Sequence, residues 1–152
     1  MTVELTRVYH FSAAHQLANP ALTPEDNARL YGACAGLHGH NYYLEVTLTG
    51  NPDPVTGMVF DLAQLDDLVQ RELLSQVDHH ALEAAPALAG VITTGESLAR
   101  AFWRPLADGL PAGALSRVTV EGAQPSERAI WRWAEPACRP AATGTRSSGR
   151  FR

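Results

Sequence analysis

His38-Gly39-His40 places two imidazoles at i and i+2, directly before a run of alternating residues. In extended backbone such a pair projects from one face, with the two side chains about 7 Å apart along the strand. A catalytic zinc site takes three protein ligands, each nitrogen at about 2.0–2.1 Å, and leaves a fourth position open. A third donor must therefore come from elsewhere. His15 is the candidate: it closes Phe11-Ser12-Ala13-Ala14-His15, whose small residues would let that backbone pack closely beside another strand. Taken singly, each histidine could equally cap or pad a strand, and it is the closely spaced pair that raises the metal reading.

Other residues carry chemistry of their own. Cys34 is either a small buried hydrophobe or a thiol that a neighbouring cation or imidazolium turns into a usable base. In Asp78-His79 a carboxylate can fix the imidazole tautomer while the ring moves protons; alternatively, Asp78 is a helix-terminal acid. His80 fits a surface polar residue following a helix. Glu121 lies on the face opposite Val118 and Val120. A carboxylate there can accept two parallel hydrogen bonds from a two-donor edge, or it is a solvated strand charge. Thr94-Gly95-Glu96 stands where a helix begins.

The elements that must position these residues follow from periodicity. Val3, Leu5, Tyr9 and Phe11 fall on odd positions, the period of a half-buried strand. Thr23-Pro24-Glu25-Asp26 predicts a short helix ending near Gly32. Residues 42 to 49 alternate cleanly and predict a strand. The turn formers of 50 to 57 lead into Met58-Val59-Phe60, read as a connection between paired strands. Asp61 caps a helix with a stripe of Leu62, Leu65, Leu68, Val69, Leu73 and Val77. Thr93-Thr94-Gly95-Glu96 has capping-box spacing and opens a second helix, with Leu98, Ala99, Phe102, Trp103 and Leu106 on its apolar face. Segments 117 to 121 and 128 to 133 predict a closing hairpin, with Trp131 and Trp133 on one side. The order implies an α+β domain, an antiparallel sheet with two helices on one face.

The 152 residues, 45% apolar and 18% charged, suit a single globular domain. It is placed at residues 1–134, and 135–152, rich in Pro, Ala, Gly, Ser, Thr and Arg without periodicity, is expected to be a disordered tail. A net charge of −4 with scattered arginines and no lysine argues against nucleic acid as a partner. No stretch approaches 18 uninterrupted apolar residues and the N-terminus opens directly into an alternating pattern, so no membrane span and a cytoplasmic location are expected. With only Cys34 and Cys138 available, a structural disulfide is not expected.

Phe11 to His15, the string Cys34-Ala35-Gly36-Leu37-His38-Gly39-His40-Asn41-Tyr42 and the triplet Asp78-His79-His80 together resemble the signature segments of the 6-pyruvoyl/6-carboxy-tetrahydropterin synthase family, over about residues 3 to 134. The resemblance implies a tunnelling fold (T-fold) with a four-stranded sheet, and a zinc-dependent lyase with Zn2+ on His15, His38 and His40. It assigns proton abstraction to Cys34, a second acid/base to Asp78 and His79, pterin anchoring to Glu121, and further ring contacts to Thr94 and Glu96. The substrate implied is 7,8-dihydroneopterin triphosphate, and the assembly a homohexamer, a dimer of trimers with sites at subunit boundaries.

Three residues separate Cys34 from His38. That short spacing and Asp78-His79-His80 resemble the 6-carboxy branch, which releases acetaldehyde and triphosphate and yields 6-carboxy-tetrahydropterin for queuosine-type deazapurine synthesis. The insert from Gln16 to Gly32 resembles the 6-pyruvoyl branch, which loses only triphosphate. A reading of another class is a non-catalytic zinc or pterin-binding protein. Departures from the family pattern are Thr93 where proline is common, Gly122 where threonine is common, and Glu83 in place of asparagine.

Overall fold

The computed structural model describes residues 1–123 and 128–135, so the expected tail from 136 onward lies outside the described residues. Four strands, β1 (Val3–His15), β2 (His38–Gly50), β3 (Leu115–Ala123) and β4 (Arg128–Trp133), form one antiparallel sheet in the order β1-β2-β3-β4. Three helices complete the described chain: α1 (Pro24–Tyr31), α2 (Leu62–Val69) and α3 (Gly95–Gly109). Helix α2 runs on through a wide π turn, Gln70–Leu74, into a last α turn, Ser75–Val77, so the predicted four-turn stripe is continuous in space but locally underwound.

Alternation along the strands divides the sheet. Phe11, Tyr42, Leu44, Val46, Val118 and Val120 face the helices and are buried there with Leu65, Leu73, Leu98, Phe102 and Leu106. Phe11 stacks on Tyr42 with centroids 4.8 Å apart and meets Phe102 edge-on at 6.2 Å. On the opposite face, His10, Tyr43, Glu121 and Ile130 form one cross-strand row.

Several boundaries differ from expectation. β1 continues past Phe11 to His15, and β2 starts at His38, because the two extensions pair with each other, His15 opposite His38 and Ala13 opposite His40. A Cβ on Gly39 would stand 3.3 Å from the Ala13 carbonyl oxygen, so glycine allows this close strand contact. The segment through Met58-Val59-Phe60, expected to connect paired strands, instead leads from β2 into α2, and Met58 is exposed. Leu62 is also largely outside the buried stripe, being in the first turn of α2. The cap of α3 is Thr94, whose Oγ1 accepts from the Ser97 N–H while its own N–H donates to the Ile92 carbonyl, so the Thr93 to Glu96 capping box is replaced by a single side-chain cap one residue onward. Helix α3 also passes through Pro105 without ending.

Leu65 is fully buried between α2 and the sheet. Leu65→Ala is expected to lower unfolding free energy by about 2–5 kcal/mol in denaturant melts, the range for deleting a packed core leucine.

Candidate active site

The pairing of β1 with β2 gathers the predicted histidines. His15 and His38 ring centroids are 4.4 Å apart, His38 and His40 4.8 Å, and His15 and His40 5.0 Å. One nitrogen from each lies within 4.8 Å of the others, a spacing that a single metal ion can span. The tautomers are set from outside the cluster. His38 Nδ1 donates to the Gly36 carbonyl at 2.8 Å and His15 Nδ1 to the Thr93 carbonyl at 3.0 Å. Both Nε2 atoms are then bare, buried and without a hydrogen-bond partner. Buried polar atoms of native proteins are rarely left so, and a missing ion is one of the recognised causes.

Around His15 stands a support that the sequence reading saw only as two unrelated departures. Thr93 Oγ1 donates to Glu83 Oε1 at 2.7 Å, and the same carboxylate oxygen accepts from the Gln16 N–H at 3.1 Å. With its only hydrogen spent on Glu83, the Thr93 hydroxyl can act toward His15 Nδ1, 3.2 Å away, only as an acceptor. Glu83 thus ties the end of β1 to the loop before α3 and fixes the orientation of a metal-site imidazole, as outer carboxylates do in metal centres. Burial, with His38 and His40 adding like charge, pushes His15 down to about 4, and burial lowers His40 in the same direction. His15 and His40 are thereby held toward the neutral form, the state in which imidazole binds metal.

The three histidines line a cavity of about 330 Å³ together with Cys34, Thr94, Glu96 and Trp131. Cys34 arrives from a 3₁₀ turn, Gly32–Ala35, whose carbonyl at Cys34 accepts from the Leu17 N–H at 2.8 Å. Thr94 and Glu96 come from the start of α3. Tyr42 contributes a buried hydroxyl that has no partner. Five expected groups, the three histidines, Cys34 and the Thr94/Glu96 pair, thus meet at one place.

Asp78 and His79 do not line this cavity. His79 Nδ1 lies 2.9 Å from Asp78 Oδ1, and that oxygen also accepts from the Ser12 N–H at 2.9 Å. The Ser12 amide is the largest cause holding Asp78 below the usual carboxylate range. His79 adopts φ 59, the left-handed region, secured by its own N–H donating to the Ser12 carbonyl at 2.6 Å. Its exposed ring opens onto a second depression with Ser12, Asn41 and His80, touching the first cavity only through His40. Glu121 is buried on the opposite sheet face and also stands outside the cavity, whereas its neighbour Gly122 lines it.

The α+β fold therefore carries a three-histidine cluster that could hold a metal ion at the junction of two strands, beside a cysteine and the head of a helix. Residues 4–133 match the family described as 6-pyruvoyl tetrahydropterin synthase, and the chain belongs to that family. It is 42% identical over 111 residues to the 6-pyruvoyl tetrahydrobiopterin synthase of Poecilia reticulata, covering 71% of this chain and 76% of that one. With the enzyme of the same name from Homo sapiens it is 38% identical over 120 residues, 77% and 83% of the two chains. A 6-carboxy-5,6,7,8-tetrahydropterin synthase from Rickettsia typhi is 28% identical over 78 residues, 51% of this chain and 49% of that one. The structure of Caenorhabditis elegans 6-pyruvoyl tetrahydropterin synthase superposes with a TM-score of 0.80 at 32% identity, covering 90% of this chain and 97% of the other. The fold is the tunnelling fold. No helix among the described residues is long and apolar enough to cross a membrane.

His15 generates a pH prediction for metal-free protein. Its folded value of about 4 lies below the ordinary 6.5, so the unfolded chain takes up this proton first as pH falls. Stability is present above 6.5 and is lost progressively between 6.5 and 4. Thermal melts of chelator-treated protein across that window are expected to show the decline, and His15→Gln to make it shallower.

Proposed function

We propose that this chain is a zinc-dependent tetrahydropterin synthase acting on 7,8-dihydroneopterin triphosphate. One observation carries the reading: bare, buried Nε2 atoms of His15 and His38 stand beside His40 in a cavity that Cys34 also lines. Three imidazole donors with no fourth protein ligand grouped with them among the described residues suit catalytic zinc held by His15, His38 and His40. Zinc so held supplies Lewis acidity that makes the hydroxyls of the pterin side chain more acidic.

The chain's residues do the rest. Cys34 Sγ takes up the proton released from the side chain. Thr94 and Glu96, which line the cavity, contribute further contacts to the pterin ring, whose two-donor edge is anchored by Glu121. Asp78 orients His79, which donates or accepts the second proton. Because Asp78, His79 and Glu121 lie away from the cavity of their own chain, their roles require a neighbouring chain in a ring of subunits. Support for such an assembly comes from the sheet, whose β1 and β4 edges pair with no other described strand and whose outer face exposes Val8, Tyr43 and Ile130.

For the product, two readings rest on different observations. The short Cys34 to His38 connection favours 6-carboxy-tetrahydropterin with acetaldehyde released, which would serve queuosine-type synthesis; the names of the relatives at 38–42% identity favour the 6-pyruvoyl product. Zinc-loaded protein incubated with the substrate is expected to release triphosphate, and acetaldehyde trapping with product mass separates the branches. One acetaldehyde per turnover supports the 6-carboxy product, and none supports the 6-pyruvoyl product. Cys34→Ala is expected to keep zinc and lose on the order of a hundredfold or more in turnover. A non-catalytic zinc protein would instead show no turnover and a thiolate band from Cys34 in the cobalt-substituted form.

The shared-site reading has its own test. Cys34→Ala and His79→Ala homo-oligomers are each expected to be nearly inactive. Unfolding and refolding them together should restore part of the activity, because mixed rings contain some sites with both intact groups.

A further inference from the structure

Gly95 and Gly122 are far apart in sequence yet touch the same side chain. A Cβ on Gly95 would stand 2.0 Å from both Cδ2 and Cε3 of Trp131, deep inside the indole, and one on Gly122 would stand 3.4 Å from Trp131 Cζ3 and 3.6 Å from Tyr42 Cε1. Any other residue at 95 would push the ring away. Glycine inside a strand, as at 122, forgoes packing and adds backbone entropy to lose. Both glycines have one structural effect in common, which is to let Trp131 of the edge strand β4 lean across the head of α3. There the indole is only half-buried and forms part of the cavity wall, between the histidine cavity and a surface groove that contains Arg100 and Arg132.

We propose that Trp131 is the stacking wall for the planar ring of the ligand, and that Gly95 and Gly122 are specificity-determining because they set its position. This deepens the pterin reading and rests on it. A core tryptophan would be enclosed on all sides, whereas this one keeps part of its surface toward a cavity whose other groups include three clustered histidines, a thiol and a carboxylate. Those polar groups can fix the edge and the side chain of a bicyclic heteroaromatic ligand, and its flat faces need an apolar partner. Aliphatic side chains supply area but not the offset ring contact, so an aromatic at 131 discriminates in favour of planar rings.

The test is calorimetric titration of zinc-loaded full-length protein with neopterin, a triphosphate-free pterin, in wild type, Trp131→Phe, Trp131→Leu, Gly95→Ala and the double variant Gly95→Ala/Trp131→Leu. Trp131→Leu is expected to weaken binding about tenfold or more, the scale of losing an aromatic platform under a heterocyclic base, while Trp131→Phe retains most of the affinity. Gly95→Ala should weaken binding similarly with zinc content unchanged. The double variant should be no worse than Trp131→Leu alone, because both changes act through one ring. Equal affinity in wild type and in folded Trp131→Leu overturns the inference and leaves the pterin reading standing. Absence of neopterin binding to zinc-loaded wild type removes the pterin reading and the inference with it. Should Trp131→Leu fail to fold, Gly95→Ala decides: unchanged affinity there overturns the inference.

Discussion

The register of β1 against β2 is the constraint on which the rest depends. Antiparallel pairing puts His15 opposite His38 and Ala13 opposite His40, so two histidines on one strand and one on the next converge without help from any loop. A slip of one residue would turn His38 and His40 to the other sheet face, since side chains alternate along a strand. The register is held by the same alternation further along, where Phe11 and Tyr42 stack inside the core and Leu44 and Val46 lie beneath the helices. Hydrophobic burial far from the site thereby sets imidazole positions at the ends of the strands. Gly39 completes the arrangement by leaving the Ala13 carbonyl unobstructed.

That convergence has a cost in the metal-free chain. Two buried Nε2 atoms, of His15 and His38, lack partners among the described residues, each worth about 1–3 kcal/mol of lost solvation, and burial keeps the His15 imidazole from relieving its share by protonation. Glu83, Thr93 and the Gly36 carbonyl hold the other nitrogens so that the bare ones stay turned together. Such preorganisation makes sense for a site that binds an ion, because the orientation is settled before the ligand arrives. The Glu83 carboxylate also lies close enough to His15 to oppose part of the downward shift in its proton affinity.

Much of this was legible in the sequence for a simple reason: the strands and helices announce themselves by period, and the chemistry-bearing residues cluster at their ends. The four strands, the α2 stripe and the Thr23 and Asp61 caps followed from local patterns, as did the grouping of His15 with His38 and His40. Contacts between distant segments were not legible. Thr93 and Glu83 looked like independent departures from a pattern, and only the fold shows them hydrogen-bonded to each other. Trp131 could be placed only on one side of a hairpin, because period assigns a face but not what stands opposite it. The capping box failed because the buried Thr93 gives its hydroxyl hydrogen to the exposed Glu83, leaving Thr94 to cap α3.

Asp78 and His79 are held apart from the cavity by their anchoring to β1. His79 is held in the left-handed region by two contacts with Ser12, one through its own amide and one through Asp78. Ser12 belongs to the outer face of β1, the alternate of Ala13, so the pair is anchored to the back of the strand whose front carries His15. One strand therefore positions two sets of groups on opposite faces. In a closed ring, where every chain meets a copy of itself, a strand built this way can supply metal ligands to one site and an oriented imidazole to the next. Displacing β1 would then disturb both sites together, which couples the integrity of the assembly to the chemistry through a single element.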